Sequence, residues 1–337
     1  MQSAFPRIAA AFTLAATLAT PAVAQTASDG GIVVYNAQHE SLTRAWADGF
    51  TRETGIKVTL RKGSDMELAN QIVQEGANSP ADVFVTENSP GVALVDKAGL
   101  FSALPDDILA QVAENYRAAN GHWTGIAART TVFAYDKTKL DAAKLPKSML
   151  ELAEPAWKGR WAASPAGADF QAIVAGLVVL KGEATAAAWL KAMKDNAKLY
   201  KGNSVAMKAV NAGEIEGAVI YHYYYFGDQA KTGENSGHVA LHYFRNGDPG
   251  AFTSISGAGV LASSKHQAQA QAFVKWMTSK SGQAVLRDGD AYEYAIATGA
   301  ESNPKLEPLS KLDAPKLSPS NLDNKKATDL MTAAGLL

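Results

Sequence analysis

The sequence predicts an α/β protein of two Rossmann-like lobes, joined by a two-strand hinge, with a ligand cleft between them. Three observations predict it. Strand and helix signals alternate over 32–99 and again over 161–220, the pattern of parallel βαβ units. Two longer strand-like runs, 125–136 and 251–261, bracket the second block and can carry the chain out to it and back. The length of 337 residues suits about two domains, and a hydrophobic share of 47% is enough to fill two cores.

The first 24 residues read apart from this fold. Arg7 sits in a short polar start, 8–20 is apolar or small throughout, and Ala22-Val23-Ala24 precedes Gln25. That is the pattern of a secretory signal peptide, cleaved to leave a periplasmic protein that starts at Gln25. An uncleaved anchor needs about 20 apolar residues, more than this run offers. No other stretch of the sequence is long and apolar enough to span a membrane. The chain has no cysteine, which excludes disulfides, a lipidated N-terminal cysteine, thiolate metal sites and a cysteine nucleophile. A net charge of -1, with no basic stripe, argues against a nucleic-acid partner.

In chain order, 32–35 (IVVY) is a buried strand by its β-branched run, ending in Asn36-Ala37-Gln38-His39. Leu42, Ala45, Trp46 and Phe50 then recur at helical spacing until Gly55. Residues 56–60 alternate as a strand. Ser64 and Glu67 form a capping box for a helix whose stripe is Leu68, Ile72 and Val73. A third strand, 81–85, is followed by Thr86-Glu87-Asn88 and a helix that Gly99 stops. Ligands of such sheets bind beyond the carboxyl ends of the strands. His39 and Glu87 each stand just past such an end, so they share one rim.

Residues 104–124 read as polar and irregular, 148–153 as a helix and 161–163 as a short strand. A turn at 165–168 leads into Asp169, taken as the cap of a helix that runs to 180. Further helices span 184–196 and 205–211, the latter opened by Asn203-Ser204 and stopped by Gly213. The strand at 217–220 delivers Tyr221-His222-Tyr223-Tyr224-Tyr225-Phe226 to a second rim. Helices follow at 267–277 and 282–286, and the Pro-, Lys- and Ser-rich tail from 303 turns helical near 326. One lobe therefore takes 31–128 plus 253–300, and the other 129–252 plus 301–337.

The tyrosine run has a plain reading and a chemical one. It can be an aromatic strand end packed under a loop, with each buried phenol finding a partner. Alternatively, two of its phenols bind a metal with His39 and Glu87. One carboxylate and two phenolates carry three negative charges and a neutral imidazole adds none, which balances a trivalent cation. A free phenol has a pKa near 10, and a strongly charged ion lowers it. Hard phenolate oxygen suits Fe(III), and four donors leave about two octahedral positions for water or an anion. His39 can equally be a hydrogen-bonded polar residue, and Glu87 the cap of the next helix. His122, His238, His242 and His266 have no carboxylate placed to match them and read as surface or satisfied polar residues. Phosphate-loop, dinucleotide, zinc-protease and GxSxG signatures are absent, so an enzyme reading lacks a nucleophile or cofactor motif.

Several stretches are similar to a known family: VVYNAQHE (33–40), SPADVFVTENSP (79–90), TVFAYDKTKL (131–140), GNSVAMKAVNAGEI (202–215), YYY (223–225) and RNGDPGAFTSISGAGVL (245–261). With them the chain resembles the periplasmic ferric-iron-binding proteins of bacterial ABC importers, which are transferrin-like type II periplasmic binding proteins. The resemblance implies Fe(III) bound by His39, Glu87, Tyr223 and Tyr224, with Tyr221 and Tyr225 beside them. It also implies a completing anion such as phosphate or carbonate. Asn203 matches one anion-binding asparagine, and Tyr221 stands in the place of the other. The anion turn reads Ala166-Gly167-Ala168-Asp169, without its serine, and Asp169 would repel an anion. Arg129 resembles an arginine near the metal. A monomer that delivers its ion to an inner-membrane ABC permease is implied. Two other classes stay open: a lobed receptor that stacks an organic or anionic solute on the tyrosines, and an exported phenolate-iron enzyme or hydrolase.

Overall fold

The computed structural model describes residues 31–337, so the signal-peptide reading, with its start at Gln25, lies outside the described residues. Nine strands build the sheet: β1 (Ile32–Asn36), β2 (Val58–Lys62), β3 (Val83–Val85), β4 (Trp123–Asp136), β5 (Trp161–Ala163), β6 (Ala197–Leu199), β7 (Gly217–Tyr221), β8 (Val239–His242) and β9 (Thr253–Val260). Their order is β2-β1-β3-β9-β4-β7-β5-β6, with β8 also on β4. In the first lobe β1 pairs in parallel with β2 and β3, and in the second β5 pairs in parallel with β6 and β7.

The two long strands join the lobes. β4 runs antiparallel to β9 from Trp123 to Thr130, and from Thr131 onward it pairs with β7 and β8 instead. It changes lobe where it changes partner. Each lobe has its own core. The helix Glu40–Thr54 buries Trp46 and Phe50 against Phe273 and Trp276 of the helix Gln267–Met277. The second core gathers Phe133, Trp157, Trp161, Phe170 and Trp189. The buried indole N–H groups of Trp46, Trp161 and Trp189 donate to the carbonyls of Gly282, Leu152 and Met149.

The Ser64–Glu67 capping box opens the helix Asp65–Glu75 as expected. Four expectations need correction. The 148–153 segment is a 3-10 helix, Met149–Ala153. The 104–124 connection contains a helical turn, Asp106–Leu109. Strands β6 and β8, of three and four residues, were not anticipated. Finally, the tyrosine run is not an aromatic strand end under a loop: from Tyr223 it is helical. β7 ends at Tyr221, opposite Thr131, and His222 N–H makes one more bond, to the Thr130 carbonyl. Beyond that point β9 occupies the edge of β4, so the chain turns into the helix Tyr223–Lys231. The β propensity of aromatic residues yields to this tertiary constraint. Among the described residues no helix is long and apolar enough to cross a membrane.

Candidate metal centre

Two strand-end loops supply the first lobe's groups. Past β1, Asn36 Oδ1 accepts from the Gln38 N–H and from Thr43 Oγ1, a local turn that presents His39 just before its helix. Past β3, the Asp65 carboxylate accepts from the backbone N–H groups of Glu87 and Asn88 at 2.8 and 3.0 Å and fixes that loop. His39 Nε2 then lies 3.3 Å from Glu87 Oε1.

The second lobe meets them from the helix Tyr223–Lys231. Successive residues of a helix turn by about 100°, so Tyr223 and Tyr224 project as neighbours, stacked with centroids 4.4 Å apart. The Tyr223 hydroxyl donates to Glu87 Oε1 at 2.9 Å and lies 3.1 Å from Asp169 Oδ2. Tyr224 OH donates to the same Asp169 oxygen at 3.0 Å, and Asn203 Nδ2 does so at 2.9 Å. Asp169 Oδ1 accepts from Asn88 Nδ2 at 3.3 Å. The groups form one chain of neighbours: His39 Nε2, Glu87 Oε1, Tyr223 OH, Asp169 Oδ2, Tyr224 OH.

Asp169 was expected to cap its helix. The cap of that helix, Ala168–Lys181, is Gly167, and the Asp169 side chain turns into the site. Its carboxylate accepts the Nδ2–H of Asn203, one of the groups expected to bind an anion. Tyr221 is fully buried, its hydroxyl 3.3 Å from Asn88 Oδ1 and 3.4 Å from the Asp169 carbonyl. Tyr225 packs edge-on against Phe226, in the apolar cluster around Ile220 and Leu241. Arg129 is buried behind the site. Its Nη2 donates to Glu293 Oε2 at 2.6 Å and to Ser256 Oγ at 2.9 Å. Its Nη1 is 3.9 Å from Glu87, and its guanidinium lies 5.7 Å from the centre of the Tyr223 ring. His39 also has a second carboxylate, Glu293 Oε1, 3.3 Å from Nδ1.

The remaining histidines sit elsewhere. His122 and His266 do have carboxylate partners, Asp96 and Asp82, which corrects the reading that none was placed for them. His238 and His242 contact backbone carbonyls. His222 is buried against Tyr294, and burial pushes its pKa down to about 4, so it is neutral.

The ionisable groups of the site shift one another strongly. Burial and the Glu87 charge push Asp169 up to about 6 and Asp65 up to about 7. Burial, Asp169 and Glu87 together hold the Tyr223 and Tyr224 phenols well above their ordinary value. Burial disfavours a charge on His39, but Glu293 and Glu87 outweigh it and push that pKa up to about 10. Glu87 and Glu293 shift the other way: burial opposes their ionisation, but Arg129 and His39 hold both below the ordinary carboxylate range. Among the described residues no group of three or more His, Cys, Asp or Glu is placed to hold a metal ion by itself. The site opens into a cleft of about 760 Å³ that His39, Glu87, Tyr223 and Tyr224 line.

Asp169 and Glu293 are the groups that sequence reasoning missed. Asp169 stands beyond the carboxyl end of β5, as His39 and Glu87 stand beyond β1 and β3, so the same rule would have found it. Glu293 lies in an irregular segment and carries no such signal.

Residues 78–317 match the family model described as bacterial extracellular solute-binding protein. The chain is 63% identical over 315 residues to an Fe(3+)-binding periplasmic protein of Serratia marcescens, covering 93% of each. It is 40% identical over 325 residues to the major ferric iron-binding protein of Neisseria meningitidis serogroup B, covering 96% of each. Among solved structures, iron-bound HitA from Pseudomonas aeruginosa superposes with a TM-score of 0.84 at 42% identity, over 91% of this chain and 99% of that one.

Proposed function

The chain belongs to the bacterial extracellular solute-binding protein family, and from that membership we propose that it is a periplasmic carrier of ferric iron. One ion is held between the lobes by His39 Nε2, Glu87, Asp169 and the phenolates of Tyr223 and Tyr224. The lobes, 31–128 plus 253–300 and 129–252 plus 301–337, close on the ion as rigid bodies about the two long strands. A monomer then delivers it to an inner-membrane ABC permease. It is a binding protein, not an enzyme, as are the relatives it matches.

One observation carries this reading. An octahedral hard cation with metal–oxygen bonds of about 2.0–2.1 Å sets neighbouring donors about 2.8–3.0 Å apart. The oxygen spacings along Glu87, Tyr223, Asp169 and Tyr224 are 2.9, 3.1 and 3.0 Å. These hydrogen-bond spacings are compatible with neighbouring donors of one such shell, which supports the reading. Two carboxylates and two phenolates exceed a trivalent ion by one; Arg129, 3.9 Å from Glu87, is itself paired with Glu293 at 2.6 Å. Asp169 supplies from the protein the negative oxygen that a bound phosphate or carbonate would otherwise bring, so iron binding needs no added anion.

The test is to load stripped mature protein from a ferric chelate in buffer free of phosphate and carbonate. Gel filtration and elemental analysis then give iron per chain. One retained iron per chain is expected. No retained iron, alongside calorimetric binding of an organic anion, would replace this reading with the receptor in which the tyrosines stack on a solute.

A further inference from the structure

Glu293 is fully buried, in a segment that is neither helix nor strand, directly behind the cleft. Its two oxygens have different company. Oε2 accepts from Arg129 Nη2 at 2.6 Å, from Gln38 Nε2 at 3.2 Å and from Ser256 Oγ at 3.5 Å. Oε1 lies within ion-pair distance of His39 Nδ1, at 3.3 Å, and accepts no hydrogen bond from any described group. Gln38 ties the same carboxylate to the loop, because its Oε1 accepts the His39 backbone N–H at 2.7 Å.

We propose that Glu293 is the positioning residue for His39: it holds the Nδ1 proton, so that Nε2 presents its lone pair to the ion. This rests on the iron-carrier reading. A neutral imidazole has one protonated and one free nitrogen, and the hydrogen bond at one selects the tautomer. Nε2 is the nitrogen on the side of Glu87 and the phenols. With the opposite tautomer, or with the ring turned over, the site loses its nitrogen donor. The His39 side chain is a third exposed and stands at a loop end, edge-on to the Tyr223 ring and 3.3 Å from Glu87, whereas Glu293 is fully buried in the core behind it. A carboxylate behind a ligating histidine raises its basicity as well as orienting it.

Glu293 also neutralises Arg129, so the experiment must separate the two roles. Ferric-iron affinity is measured by citrate competition in the wild type, Glu293→Gln, His39→Ala and the double variant, with thermal melts of each metal-free protein. The expected result is a loss of about 10–100-fold for Glu293→Gln in the wild-type background. In the His39→Ala background the same substitution should change affinity by no more than about twofold. An equal loss in both backgrounds would assign Glu293 to Arg129 and the fold, and overturn the proposal; so would no loss at all. If Glu293→Gln does not fold, Glu293→Asp keeps the charge for Arg129 but shortens the reach to Nδ1, and the same pattern is expected. A wild-type chain that takes up no iron would instead overturn the carrier reading, and this inference with it.

Discussion

Loading the stripped protein with ferric iron should release about three protons per ion at about pH 8.5, and the count comes from the site itself. The Tyr223 and Tyr224 phenols are held protonated by burial, then by Asp169 and Glu87, so each loses one proton when it binds. His39 supplies the third, because Glu293 and Glu87, in spite of burial, keep its ring charged up to about 10. Glu87 supplies none: burial opposes its ionisation, but Arg129 and His39 hold it at about 2. Asp169, at about 6, is already ionised at that pH and adds a fourth proton only in more acidic solution. Calorimetry in two buffers of different ionisation enthalpy reads the number, once the donor chelate's own proton balance is subtracted. Tyr224→Phe should lower it by about one. A count near zero at about pH 8.5 would mean that the phenols stay protonated, and would refute a phenolate site.

Three further outcomes follow from the geometry. Asp169→Ala should cost about 2–5 kcal/mol of iron affinity in anion-free buffer and recover part of it with added phosphate, whereas the wild type should ignore phosphate; equal anion dependence of the two, by citrate competition, would remove Asp169 from the coordination shell. The metal-free protein should melt at progressively lower temperature as pH rises from about 7 toward 9.5, because folded His39 keeps, up to about 10, a proton that the unfolded chain releases near 6.5. That contribution is complete below the unfolded value and vanishes through the folded one. Its slope is at most about 1.4 kcal/mol per pH unit, reduced by the ring's partial exposure, and His39→Gln should flatten it. Gly217→Ala should lower stability in urea by about 1–3 kcal/mol, since its Cβ would collide with the Phe133 ring inside the ladder that leads to the tyrosines.

The two-lobed architecture was legible because its carriers are local. β-branched runs, the Ser64–Glu67 box and the helix stripes announce themselves in a few residues each. Strands β6 and β8 did not, being three or four residues long, only partly buried, and defined by the neighbours they pair with. The strand-end rule placed His39 and Glu87 on one rim, and they lie 3.3 Å apart. The tyrosine run was visible as composition, but its geometry was not. Nothing in Tyr-His-Tyr-Tyr-Tyr-Phe says that β9 takes the ladder from β7 at Thr130 and turns the run into a helix. Asp169 was misassigned because an acidic residue in a first helical turn looks like a cap; its role depends on where Tyr223, Tyr224 and Asn203 arrive from elsewhere in the lobe. Glu293 matters only through the approach of β4 and the His39 loop, a long-range fact with no local trace.

The most direct test of the central claim is a visible-absorption titration of the stripped mature protein with chelated Fe(III), run beside a Tyr223→Phe, Tyr224→Phe double variant. The account requires a tyrosinate-to-iron charge-transfer band that rises to one ion per chain, needs no phosphate, and is absent from the variant. A wild-type protein with no band, or a variant that keeps it in full, would contradict the account and leave these tyrosines as packing or solute-stacking residues.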